Sequence, residues 1–298
     1  MRVKNTIGRD VWLKAIDYAP GDRTVVHHIL GYTLAAGAGP LNVNGGQEGT
    51  SQQPGQPSPR SLQLAKLCST PAGAEQVRNR ISRSDVAVLT GGASIAGYVP
   101  GAAPAKFPAD SGVLIRKGSD FRFQVHYTPT GKTSTDVTRV GLYFTDEEPK
   151  YSLRNTVLMD PCLTIPANTK AYTASMSRIV DRDLYIYSLT PHSHYRGAAS
   201  SFSAEYPDGT QETLLSVPRY DFNWQTAYSL TTPKFIPKGT KLTHSTTYDN
   251  SALNAANPDP SIIVHWGEQS WEEMLYGSIA IRYADEGTPA PQTARTTP

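Results

Sequence analysis

The 298-residue chain has little charge, little sulfur and no long apolar run, and each shortage excludes something. Charged residues make up 18%, below the usual quarter. They divide into 28 basic and 26 acidic side chains, a net charge of +2. Without a basic stripe to grip phosphates, nucleic acid is not an expected partner. No segment approaches the ~18 consecutive apolar residues of a membrane span, so none is expected. The two cysteines, Cys68 and Cys162, lack the Cys-x-x-Cys spacing of a zinc site. Spacing leaves them open as two free thiols or one disulfide, and a disulfide would hint at an oxidising compartment. The opening residues carry no apolar core with a small-residue cleavage site, so no signal peptide is visible. Met1 is followed almost at once by a strand-like segment, so a processed piece of a longer protein is expected.

The share that charge gives up goes to 24 Gly, 23 Pro and 16 Tyr, with Ser and Thr. Short strands and frequent turns have this composition; helices do not. At 38% hydrophobic residues the chain can bury a proper core. Strand-like alternation reads at 11–16, 24–32, 113–127, 137–144, 183–189, 201–206, 240–248 and 275–283. In 120–127, Phe121, Phe123 and Val125 point one way while Arg122, Gln124 and His126 point the other. Turn sequences such as Tyr-Pro-Asp-Gly and Pro-Lys-Gly-Thr separate these segments. The expectation is an all-β chain of sandwiches. Residues 35–60 read as a Gly/Pro-rich surface insertion, and Leu62, Leu64, Leu67, Val77 and Ile81 allow one or two short helices after it. A boundary near 147–155 divides the chain into domains 1–152 and 153–286, with 287–298 as a disordered tail.

Five of the seven histidines fall in tight settings. His192 and His194 form His-Ser-His, and on a strand positions i and i+2 share a face, so the pair can present two imidazoles to one ion. His27 and His28 are adjacent and diverge on a regular strand, so they share an ion only where the strand bends or ends. His126 lies on the polar face of its strand. A lone histidine is ordinarily a hydrogen-bonded surface or core residue, but five in three strand segments weaken that reading. Cysteine ligands are absent, which disfavours structural zinc and iron–sulfur clusters. Imidazole with thioether suits copper cycling between two oxidation states, and Met159, Met176 and Met274 are the internal methionines.

Four blocks carry a resemblance: Val-His-His-Ile-Leu at 26–30, Gln-Val-His-Tyr at 124–127, Pro-His-Ser-His at 191–194 and Gly-Glu-Gln-Ser-Trp-Glu-Glu-Met at 267–274. In order and spacing over about 10–285, the chain resembles the copper type II, ascorbate-dependent monooxygenases. These are the family of peptidylglycine α-hydroxylating monooxygenase and dopamine β-monooxygenase, and the style is that of their bacterial members. The resemblance implies two tandem jelly-roll-like β-sandwiches with one copper ion each and a cleft between them. His27, His28 and His126 match the three-histidine electron-transfer site. His192, His194 and Met274 match the oxygen-binding site. It implies hydroxylation of a C–H bond with O2 and an external reductant such as ascorbate, in the periplasm or outside the cell. Gln124 and His265 are expected to support the ligands by hydrogen bonding.

Neighbouring residues have plainer readings. Trp266 and Trp271 read as packing, Glu272 and Glu273 as exposed or capping carboxylates, and His244 as a surface residue. Residues 248–260 read as successive side-chain-to-backbone turns rather than a calcium loop. The chain departs from the family where substrate is held. Thr190 stands where the animal peptidyl-glycine enzymes carry a carboxylate-gripping arginine, and Tyr276 and Ser278 replace two further contacts. Ser245 stands at one of their cysteines. A peptidyl-glycine substrate is therefore disfavoured and the substrate is unidentified. Two rivals remain: a copper-binding or electron-transfer protein without hydroxylase activity, and a β-sandwich binding domain with ordinary histidines.

Overall fold

Two layers of antiparallel strands close over Leu13, Ile16, Ile29, Ile95 and Ile115, none of which is more than 1% exposed. The computed structural model describes residues 1–34, 56–82, 93–101, 103–128 and 130–286. Among them only two helices, Pro59–Cys68 and Pro71–Ser82, accompany the strands, so the chain is all-β as its composition implies. The insertion expected at 35–60 falls mostly outside the described residues, as does the tail 287–298.

The first sandwich has one sheet ordered Arg2–Val3, Asp120–Tyr127, Val26–Leu34, Ala93–Tyr98. Its partner sheet centres on Val11–Ala19, which pairs with Ala105–Lys106, Ser111–Ile115 and Arg139–Thr145. Bulges set which side chains enter the core. In Val11–Ala19 the register shifts between Leu13 and Ala15, so the buried set moves from Val11 and Leu13 to Ile16 and Tyr18. One extra residue flips the parity of everything after it. A second bulge, between Val26 and His28, gives His27 no place in the ladder opposite Asp120–Tyr127.

In the second sandwich, Arg154–Met159, Tyr276–Tyr283, Leu184–His192 and Tyr228–Ile236 form one sheet. Tyr172–Ile179, Lys241–Tyr248, Gly197–Glu205 and Gln211–Val217 form the other. Ile186, Leu189, Ile279 and Ile281 of the first meet Phe202, Ala204 and Leu242 of the second. The cores change over between Leu153 and Val157, beside the boundary read from the sequence.

The helix pair belongs physically to the second sandwich although it interrupts the first in sequence. Ser58 caps the first helix by accepting the Ser61 N–H, with Pro59 at its first position. Leu64 and Val77 pack onto a third apolar cluster with Leu163, Val264 and Trp266, whereas Leu62 and Leu67 stay exposed. Cys68 and Cys162 are joined as a disulfide. The Arg78 guanidinium donates two hydrogen bonds to Asp160, at 3.0 and 2.8 Å.

Candidate functional site

The bulge at His27 answers the question its position raised. Adjacent histidines diverge on a regular strand, but here the ladder breaks between them and their Nδ1 atoms lie 3.1 Å apart. His126 is the direct partner of His28 on the neighbouring strand. One ligand atom from each of the three lies within 4.8 Å of the others. His126 Nε2 sits 3.2 Å from the Ser270 hydroxyl, which reaches across from the second sandwich.

His192 ends the Leu184–His192 strand, opposite Tyr276. Gln225 holds its ring: Nδ1 donates to Gln225 Oε1 at 2.5 Å. The amide is oriented by its own nitrogen, which donates to the Phe222 carbonyl at 2.9 Å. His194 lies just beyond the strand and is 2% exposed. Its Nδ1 donates to the Glu272 carbonyl at 3.2 Å, and its backbone N–H donates to Glu273 Oε2 at 2.8 Å. Both rings therefore carry the proton on Nδ1 and keep an Nε2 lone pair for a ligand.

The two histidine sets meet. His28 and His192 have ring centroids 6.1 Å apart, edge to face, and His192 and His194 lie 5.1 Å apart. The cleft expected between the sandwiches is closed at this point by contact between imidazoles. Phe222 reinforces the closure, stacking on His27 at 4.6 Å and meeting His194 edge-on at 6.0 Å. A single loop thus touches both sets, through Phe222 and Gln225. Tyr220 of that loop fixes Ser193, accepting its N–H and donating to its carbonyl.

Burial keeps the imidazoles neutral. It lowers His126 and His192 to about 4 and holds His28 and His194 well below the usual histidine value; in His28 the neighbouring imidazoles add to it. His27, less enclosed, is lowered in the same direction. Neutral rings are the form that binds a metal without first losing a proton.

The other expected residues are placed as follows. Met274 adjoins Glu273, and its N–H donates to the Glu273 carboxylate; its side chain packs on the third apolar cluster. Gln124 shares its strand face with His126 and stands opposite Leu30. His265 does not reach the cluster: it pairs opposite Thr164, with its Nδ1 3.2 Å from that hydroxyl. Pairing at the edge of a two-stranded sheet directs it elsewhere.

His244, read as a surface residue, is instead fully buried. It stacks on Phe202 with centroids 4.5 Å apart and lies 3.0 Å from the Ser200 hydroxyl. Strand alternation in Lys241–Tyr248 buries Leu242, His244, Thr246 and Tyr248 together, so its parity with Leu242 was the missed signal. Glu272 and Glu273 are also buried rather than exposed. Glu272 accepts the N–H groups of Ser58 and Gln269, tying the helix pair to this segment. Glu273 accepts those of His194, Arg196 and Met274, and burial pushes its carboxyl up to about 7. The 248–260 segment makes the side-chain turns expected of it, with Asp249, Asn254 and Asn257 each accepting a backbone N–H two residues on.

Sequence reasoning missed Gln225, Phe222, Ser270 and Arg196. Arg196 is wholly buried, donating to Asn250 Oδ1 and the Trp271 carbonyl. One signal was present: two glutamates within Trp-Glu-Glu-Met-Leu-Tyr at 271–276 mark buried polar groups inside an apolar run.

No protein-family model matches the chain, and no curated protein is significantly similar to it. Solved structures of the infectious bursal disease virus Gt and Gx strains each share 11% identity with it. Their TM-scores are 0.26 and 0.27, with 96% and 97% of this chain covered. The VP2 subviral particle of that virus shares 12% identity at a TM-score of 0.25. The chain spans under two thirds of the length of each, 58%, 59% and 60%. Likenesses this faint carry no argument about fold or activity.

Proposed function

We propose that the chain is a copper-dependent monooxygenase that hydroxylates a C–H bond of an unidentified substrate with O2 and an external reductant such as ascorbate. The observation that carries the reading is the convergence of five imidazoles from both sandwiches on one locus, with His28 and His194 buried and His27, His126 and His192 partly so. The donor set fits copper: imidazole nitrogens without thiolate, with the Met274 thioether next in the chain to Glu273, whose carboxylate accepts the His194 N–H. His27, His28 and His126 would hold one ion. His192, His194 and Met274 would hold the other. Copper bound there supplies one-electron redox chemistry towards O2.

The chain's own residues prepare that chemistry. Gln225 and the Glu272 carbonyl fix the tautomers of His192 and His194, so both rings offer Nε2. Phe222 covers His27 and keeps water from the ring face it stacks on. The Cys68–Cys162 disulfide supports a periplasmic or extracellular setting.

Metal analysis tests the reading first. Two coppers per chain are expected, falling to one in Met274→Ala or His126→Ala. Met274→Ala should weaken its own set far more than the three-histidine set, and equal loss from both would sink the ligand assignment. Reductant-dependent O2 consumption with a hydroxylated product is the decisive assay; peroxide alone across a broad substrate panel would count against it. That last outcome would favour a copper-binding or electron-transfer protein without hydroxylase activity. The contact between His28 and His192, which leaves no room for a substrate between those rings, speaks for this second reading.

A further inference from the structure

Behind Phe222, on the loop that clamps the histidines, lies a cavity of about 460 Å³. That volume suits a small molecule of about the size of an amino acid or larger. Phe222 lines the cavity and also meets His27 and His194, so its ring is the wall between cavity and imidazoles. Tyr195, edge-on to Phe222 at 4.9 Å, and Tyr220 extend the aromatic side. Tyr220 is committed to Ser193 through its hydroxyl, so it offers the cavity chiefly its ring.

The polar side is different in kind. Arg219, Asp221 and Asn223 line it. Arg219 makes no ion pair or hydrogen bond among the described residues, so its guanidinium is uncommitted. Asp221 spends one carboxylate oxygen on the Asn223 N–H, 2.8 Å away, and its other oxygen is uncommitted among the described residues. The lining thus offers one cation and one anion two residues apart beside an aromatic wall. A ligand with a single charge would match one of them and face the other with like charge. A ligand with both charges matches both.

We infer that this cavity binds a zwitterionic molecule of amino-acid type with an aromatic or bulky apolar side chain. Its carboxylate meets Arg219, its ammonium meets Asp221 and its side chain lies against Phe222 and Tyr195. The inference rests on the hydroxylase reading only in making the occupant a substrate; binding itself is independent of turnover.

The test uses the full-length, copper-loaded chain without reductant, with calorimetric titration of L-phenylalanine, phenylacetate and phenethylamine. Phenylalanine should bind about fivefold more tightly than either singly charged analogue, the size an exposed ion pair contributes. Arg219→Gln should erase the advantage over phenethylamine, and Asp221→Asn, which keeps the turn's acceptor, the advantage over phenylacetate. Matching thermal melts of both variants to the parent establish that they fold. Phenylalanine binding no tighter than its analogues, or keeping its advantage in both variants, overturns the assignment. Failure of the hydroxylase reading shows separately, as missing copper or missing O2 uptake, and leaves these affinity ratios unchanged.

Discussion

Gln225 illustrates how the proposed ligand role of an imidazole would depend on a residue that itself offers no metal ligand. Its carbonyl oxygen accepts a hydrogen bond from the His192 Nδ1–H, and its own nitrogen donates to the Phe222 carbonyl. Removing it frees the ring to rotate and to change tautomer. Gln225→Ala should therefore weaken copper binding by the His192 set about 10- to 100-fold, the usual cost of losing such a partner. The three-histidine set should be unchanged. Competition with a chelator, read at each site by spectroscopy, checks this. His244 sets a different expectation, for stability against pH. Burial lowers it from 6.5 to about 3, so the unfolded chain takes up the proton that the folded chain refuses. Its contribution is full above pH 6.5 and is lost as pH falls towards 3. The urea midpoint should fall over that window, and His244→Gln, which keeps hydrogen-bonding atoms beside Ser200, should flatten the fall. Identical slopes in parent and variant would show that His244 protonates in the folded chain.

At the scale of elements, the helix pair and the 220–225 loop do most of the assembling. The helices leave the first sandwich in sequence and dock on the second through Leu64, Val77, the Arg78–Asp160 pair and the disulfide. The cross-link spans 94 residues, so it restricts the unfolded chain substantially. Replacing Cys68 and Cys162 by serine should cost about 2–4 kcal/mol in urea unfolding. Reducing the parent should reproduce the loss, and no change on reduction would refute it. The helices were legible because Leu62, Leu64, Leu67, Val77 and Ile81 recur among polar residues, whereas the Ser58 cap and Pro59 start were read as the end of the insertion. Their docking was not, since nothing in a helix's own pattern names the surface it will cover. The loop was missed for a related reason. Residues 220–225 alternate without period, and only the fold brings Phe222 against His27 and Gln225 against His192.

Across the whole molecule, the consequential feature is that the two sandwiches bring their histidines into contact. Ser270 reaches His126 from the other sandwich, and Phe222 stacks on His27 in the same direction. With His28 and His192 only 6.1 Å apart, ions seated in the two sets should sense each other. Copper(II)-loaded protein should give a paramagnetic resonance spectrum broadened or reduced in intensity relative to His126→Ala, which keeps one set. Two sharp, independent signals adding to two full spins would contradict this arrangement.

The scarcity of charge, the wealth of turn residues and the alternation of apolar positions determined by themselves that the chain is built of strands. Parity along a strand is a local property, and most of the long strands read from the sequence are present, among them Val11–Ala19, Asp120–Tyr127 and Tyr276–Tyr283. The histidines stood out for the same reason, since His-x-His shares a face wherever the strand lies. What tertiary structure alone decided is how these local facts combine. A bulge at His27 turned two diverging rings towards each other. Pairing at a minor sheet edge took His265 out of the site, and parity with Leu242 took His244 into the core. Contacts between residues over a hundred positions apart, such as Ser270 with His126, depend on how whole sheets pack, and no local pattern encodes that.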